Sequence, residues 1–278
     1  MVARYELPPG TTLRVVSSSG DVTVIAEDRP DVQASDGGQV KTPSSEATLG
    51  QAKREERRAR SRRRPTAFRI LRRLVRRTVR GARKHVHERG PTLEIHAGRG
   101  GSQDLQVRCP TGTPVSVGTI SGDARLQGQF GDATVATASG DITVDRAAAL
   151  DARSVSGDLE VGGCSGHCRL HTKSGHIQAD ATGPAEANTV SGRVRLLNTA
   201  GGVTVRTVSG NVDLGTDGTD DVRIRTVSGQ IAIRVPSGRL PQTRLRSLSG
   251  KIECECPQGA DFLLRVDSVS GDIEVEPS

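Results

Sequence analysis

Along most of the chain, short runs of alternating apolar and polar residues come in pairs, with a Ser-Gly between the two members of each pair. Around Gly210 the first run carries Val203, Val205 and Thr207, and the second carries Val212 and Leu214. Alternation at period two predicts half-buried strands. The frame TVSGNVDL at 207–214 recurs as TISGDARL from Thr119, TASGDITV from Thr137, SVSGDLEV from Ser154 and TKSGHIQA from Thr172. It continues as TVSGRVRL from Thr189, TVSGQIAI from Thr226, SLSGKIEC from Ser247 and SVSGDIEV from Ser268, with an outlying SSSGDVTV from Ser17. The turn glycines of the main array are Gly122, Gly140, Gly157, Gly175, Gly192, Gly210, Gly229, Gly250 and Gly271, spaced by 17 to 21 residues, and Gly20 stands apart. A fixed period near 20 predicts a stacked-repeat architecture.

Glycine between the runs allows a positive φ, and the preceding serine hydroxyl can bond to nearby backbone. The residue after glycine varies among Asp, His, Arg, Asn, Gln and Lys, which predicts a solvent-facing position. Two folds can use such a unit. A meander of hairpins would pair Ser209 with Val212 and Val208 with Asp213, mixing polar and apolar partners on both faces. A solenoid places equivalent residues of successive coils about 4.8 Å apart, like over like. Val190, Val208, Val227 and Leu248 then form one column, and Val194, Val212, Ile231 and Ile252 another. The sequence therefore predicts an all-β, single-chain parallel β-solenoid of about nine to ten coils. The gaps between aliphatics, five and four residues from Val203 to Val208 to Val212, do not suit a left-handed hexapeptide helix. Right-handed winding is the expectation for parallel crossovers.

Composition changes this picture little. Aromatics are reduced to Tyr5, Phe68, Phe130 and Phe262, as a narrow coil filled by Val, Ile and Leu requires. No run of 18 apolar residues predicts a membrane span. The start, MVARYELPPG, lacks the apolar core of a signal peptide, and five cysteines without export machinery fit a reducing cytoplasm. The expected localisation is cytoplasmic, peripheral to the inner face of the membrane.

A Pro-x-Gly turn precedes the strand and Ser-Gly bend in YELPPGTTLRVVSSSGDVTV from Tyr5 and in CPTGTPVSVGTISGDARL from Cys109. It returns in VPSGRLPQTRLRSLSGKIEC from Val235 and CPQGADFLLRVDSVSGDIEV from Cys256. This pattern resembles the bacterial putative-adhesin-like β-strand-repeat family, a domain family of unknown function, over residues 1–35 and 92–278. The resemblance implies a parallel β-helix-like solenoid, no established enzyme activity and no catalytic motif to carry over. Some relatives accompany membrane-bound envelope-stress proteins, which implies work near a membrane.

Residues 36–91 depart from that pattern, as an insertion between a first coil at 1–35 and the main array at 92–278. Residues 36–52 read as a flexible linker. From Lys53 to Arg89 there are 17 Lys/Arg against 3 Glu, a net of +14; with +7 for the whole chain, the remainder carries −7. Residues 66–88 predict an amphipathic helix stopped by Gly90-Pro91. Its apolar stripe includes Phe68, Leu71, Leu74, Val75 and Val79. The opposite arc carries Arg69, Arg72, Arg73, Arg76, Arg77, Arg80, Arg83 and Lys84, preceded by Arg62, Arg63 and Arg64. Such a helix needs a counter-surface. Three are open: the end of the solenoid, which it would cap; an anionic membrane; or a nucleic acid. Nucleic acid fits less well, because stacking aromatics and a recognisable binding module are missing.

Other chemistry recedes under alignment to the repeat. Cys164, His167, Cys168, His171 and His176 suggest zinc, yet Cys168 falls at the inward position of Val203 and His171 at the outward position of Arg206. Cys109, Cys254 and Cys256 read as core residues. Asp21, Asp123, Asp141, Asp158 and Asp272 follow the bend glycines, but His176, Arg193, Asn211, Gln230 and Lys251 share that file, which no calcium ladder tolerates. A carbohydrate-active β-helix enzyme would need paired carboxylates and aromatic platforms. The expectation is a non-enzymatic structural or interaction module without cofactor or metal. Its expected partner is an anionic membrane surface or a protein, and its solenoid ends offer a route to self-association.

Overall fold

The computed structural model describes residues 3–8, 10–35, 38–41, 91–97 and 104–278. All regular structure in them is strand, and no described helix is long and apolar enough to cross a membrane. The helix expected over 66–88, with its apolar stripe and Arg62–Lys84, lies outside the described residues.

Each coil contributes one strand before its Ser-Gly bend and one after it, and the alternation read from sequence decides which side chains go inside. In the coil around Gly210, Val203, Val205, Thr207, Val212 and Leu214 are buried. Each fully buried aliphatic contributes about 1.5–3 kcal/mol. The strands before the bends form a leading sheet and those after them a trailing sheet. Ala124–Ala136 and Ile142–Arg153 run through both without a break. Pairing is parallel and in register: Cys168, Ala185, Val203 and Val222 stack in the leading sheet, and Ile177, Val194, Val212 and Ile231 in the trailing sheet. The bends stack as well, with parallel bridges from Ser19 to Ser121 and onward to Ser209, Ser228 and Ser270. Up-and-down hairpins would alternate in direction, so the parallel solenoid is the fold.

The order of levels departs from the expected sequence order at both ends. The coil Leu263–Ser270 and Ile273–Pro277 sits directly on Val222–Arg225 and Ile231–Val235, and Gln242–Ser249 and Ile252–Cys254 lie outside it. Val227 therefore neighbours Val269 rather than Leu248, and Ile231 pairs with Ile273 rather than Ile252. The inward positions explain the choice: Leu264, Val266, Ile273 and Val275 suit a level covered on both sides, whereas Thr243, Ser247 and Cys254 suit an uncovered one. At the other end Thr12–Val16 and Val22–Glu27 are likewise sandwiched, with Thr92–Ala97 and Leu105–Pro110 outside them.

That outer level is extended by antiparallel strands. Ala3–Glu6 pairs with Asp31–Ala34, which pairs with Leu105–Pro110, and Gly38–Lys41 pairs with Thr92–Ala97. Residues 38–41, expected in the flexible linker, are thus strand, because the edge of Thr92–Ala97 offers them a full ladder of backbone partners.

The glycines of the bends are required for a reason the sequence did not suggest. Several have positive φ, Gly192 at 146° and Gly229 at 130° among them. The stronger constraint is stacking. A Cβ on Gly122, Gly140, Gly157, Gly175, Gly192, Gly210, Gly229, Gly250 or Gly271 would strike the carbonyl of the bend glycine one level away, nearer than real Cβ atoms come. Gly163 differs, since a Cβ there meets nothing closer than 3.6 Å. Gly192→Ala is therefore expected to lower unfolding free energy by about 3 kcal/mol or more, and Gly163→Ala by no more than about 0.5 kcal/mol. Equal losses in urea denaturation would contradict the stacking account.

Candidate functional site

The bend edge is the most regular surface of the molecule. Thr207 points inward, so the next residue, Val208, points out. The same parity puts Val155, Val190, Val208, Val227, Val269 and Leu248 on the surface, the valines at 41–47% exposure and Leu248 at 85%. Ile120 and Ala138 continue the stripe half-buried, and Lys173 interrupts it. The column expected from Val190 through Val208 and Val227 to Leu248 exists with Val269 inserted between Val227 and Leu248, and it faces solvent.

The residues after the glycines do not simply hang in water. Asp21 accepts the backbone N–H of Asp123 at 3.0 Å, Asp123 that of Asp141 at 3.0 Å, and Asp141 that of Asp158 at 2.8 Å. Asp158 accepts from His176 at 2.7 Å, and His176 Nδ1 accepts from Arg193 at 2.9 Å. Asn211 and Asp272 do the same for Gln230 and Lys251. A short acceptor at this position satisfies a backbone donor of the neighbouring level, which the variable residue types concealed. Among the described residues, no group of three or more His, Cys, Asp or Glu side chains is placed to hold a metal ion.

The Cys/His cluster is divided as its alignment predicts. Cys168 is fully buried over Ala185 and Val203, while His171 stacks outward over Asn188 and Arg206. Cys164 is buried as well, and the Cys168 thiol is pushed up by its hydrogen bond with Cys164 and by burial. Burial pushes the Cys109 thiol up to about 11. Cys256 is buried as expected, but Cys254 is exposed, because nothing described covers its inward face. His171 Nδ1 lies 3.1 Å from Asn188 Nδ2.

At the second corner of the coils runs a groove of about 840 Å³. Its floor includes Gly163, Ala181, Asn198 and Gly215, with Arg146 and Arg234 toward its ends. Arg234 is held by Asp213 at 3.2 Å. Charge is segregated near the last levels. The leading sheet turns Arg223, Arg225, Arg244, Arg246 and Arg265 outward, and Asp221 and Asp267 partly offset them. The trailing sheet turns out Glu253, Glu255, Glu274 and Glu276. The Glu274 carboxyl is raised by its hydrogen bond with Glu276 and by the neighbouring glutamates.

The basic candidates Arg62, Arg63, Arg64, Arg69, Arg72, Arg73, Arg76, Arg77, Arg80, Arg83 and Lys84 all fall outside the described residues. All ten turn glycines, by contrast, stand in one file at the bend edge. Sequence reasoning missed the outward parity of the valine stripe, although Thr207 inward already fixed Val208 outward. It also missed the opposed charge of the last levels, which appears only once the level order is known.

A family model described as Toastrack DUF4097 matches residues 6–276. No curated protein matches the chain. Among solved structures, a "putative adhesin" from Bacteroides fragilis is similar, with 11% identity, a TM-score of 0.42 and coverage of 99% of this chain and 96% of that one. A "putative cell adhesion protein" from Clostridium sporogenes has 8% identity and a TM-score of 0.22, covering 100% and 99% of the two chains.

Burial pushes the His171 imidazole below its ordinary pKa, and Arg153 adds to the shift. The folded chain thus takes up this proton less readily than the unfolded one. Stability is full above the ordinary histidine pKa and falls as pH drops through it toward the lowered folded value. His171→Asn, the residue found one level away at Asn188, removes this contribution. The loss of unfolding free energy between about pH 7.5 and about pH 5.5 is expected to be smaller in the variant than in the parent. An equal or larger loss would contradict the assignment.

Proposed function

The chain belongs to the Toastrack DUF4097 family, and on that premise we propose that it is a non-enzymatic interaction scaffold attached to an anionic membrane by its basic insertion. The observation that carries the scaffold reading is the use made of the repeat's polar residues. The carboxylates, imidazole and amide that follow the bend glycines accept backbone N–H groups of the adjoining level. They act as fasteners between levels, while the outward positions display columns of like residues for a protein partner. The aliphatic stripe from Val155 to Leu248 holds six of the eight exposed large hydrophobic side chains among the described residues.

The attachment rests on the sequence of the insertion. Phe68, Leu71, Leu74, Val75 and Val79 recur at helical spacing opposite eight basic residues, in a region of net charge +14 within a chain otherwise at −7. Apolar burial at the headgroup boundary and about 1 kcal/mol from each basic residue near an anionic surface would act together. The cytoplasmic face of the membrane is the surface proposed. In co-sedimentation with vesicles, the full chain is expected to pellet with phosphatidylglycerol-containing membranes and to remain soluble with phosphatidylcholine alone. Leu71→Glu together with Leu74→Glu is expected to abolish pelleting. Binding that survives these changes, with retention on DNA tracking arginine number alone, would replace the membrane by a nucleic acid.

A further inference from the structure

The two ends of the solenoid differ. At one, antiparallel strands Ala3–Glu6, Asp31–Ala34 and Gly38–Lys41 extend the sheets beyond the outermost parallel level. At the other, Gln242–Ser249 and Ile252–Cys254 each pair on one side only among the described residues. Their free sides present unpaired N–H and C=O groups, the surface that sheets use to recruit another strand. The interior is open there too. Ile252 occupies the inward file of Ile273 yet is 41% exposed, Cys254 occupies that of Val275 and is exposed, and Leu245 packs on the core from one side only.

Charge on this end is divided between the two edges. The leading edge carries exposed Arg244 and Arg246, stacked beside Arg265 and Asp267. The trailing edge carries Glu253 beside Glu274, with Glu255 following and Glu276 close by. Carboxylates in register repel one another; Lys251, which contacts Glu253, and Arg234, in register with Glu276, offset them in part. The trailing edge is therefore mainly anionic, and the leading edge, Gln242–Ser249, carries no carboxylate.

We propose that this end is the interface of an isologous dimer with a second copy of this chain, in which each leading edge pairs antiparallel with the other copy's trailing edge. The chain reverses at every bend, so the two edges run in opposite directions across the end. A two-fold axis perpendicular to the solenoid and parallel to the strands lays Gln242–Ser249 of one copy beside Ile252–Cys254 of the other, antiparallel, twice over. Arg244 and Arg246 then meet Glu253 and Glu255, while Leu245 and Ile252 of both copies close the open core. The alternative two-fold, passing through the sheets, would set Glu253 against Glu253 and arginine against arginine. Charge selects the first. This interface does not depend on what the basic insertion binds.

Sedimentation equilibrium of the full chain across a concentration series tests it. The expected behaviour is a closed monomer–dimer equilibrium. Arg244→Glu with Arg246→Glu, or Glu253→Arg with Glu255→Arg, is expected to raise the dimer Kd about 10-fold or more. All four changes in one chain restore association, because each reversed edge again meets its opposite. Circular dichroism checks that the variants fold. Should a reversed pair disturb folding, Arg244→Gln with Arg246→Gln gives the same weakening without reversal. A monomer at every concentration, an open series of larger polymers, or a four-fold variant that stays as weak as the pairs would overturn the proposal.

Discussion

The bend glycines pack backbone against backbone, and this contact governs the molecule. Where one coil turns, the Cα of its glycine faces the glycine carbonyl of the adjoining level so closely that no side chain fits between them. Everything near the bend follows from that approach. The serine before it joins a continuous file of parallel bridges. The threonine two residues earlier turns inward, and the residue between them is driven out to the surface. The residue after the glycine lies within reach of the next level's amide, so a short acceptor is useful there. One close contact, repeated, thus sets the surface stripe, the inner file and the ladder of side-chain acceptors together.

The architecture was legible because a repeat of this kind writes its register into the sequence. Aligning Cys168 with Val203 and His171 with Arg206 placed one inside and the other outside, as the pairing Cys168–Ala185–Val203 and His171–Asn188–Arg206 bears out. Local pattern could not supply the order of the levels. Leu264 and Leu245 both alternate correctly for an inward file, and only the company they keep, Val266 with Ile273 and Val275 against Ser247 and Cys254, distinguishes a covered level from an exposed one. The acceptor role of the post-glycine residues was hidden for a related reason. Asp158 and His176 share no charge and little shape, only an acceptor atom at the right reach, and composition does not reveal it. The strand at Gly38–Lys41 was concealed by a polar, glycine-containing sequence that gains its conformation from the edge it meets.

The inner file at the second corner shows how a narrow core adjusts along its length. Phe130 is followed level by level by Ala147, Cys164, Thr182, Thr199 and Thr216, all buried. Small residues there let the corner sit close to the axis, and outside it the groove opens over Gly163 and Ala181. The scarcity of aromatics belongs to the same geometry. Phe130 is buried toward one end of the file and Phe262 at the far end, where it lies against Gly218.

The exchange of levels at the carboxy-terminal end has a consequence for synthesis. Residues 242–254 leave the ribosome before residues 263–277, yet among the described residues their strands pair with that later segment alone. They have no native surface to settle on when they first emerge. Growth of this solenoid therefore cannot proceed by adding each newly made winding to the one before it; the outermost winding has to wait, unattached, until the segment made after it has slipped in beneath.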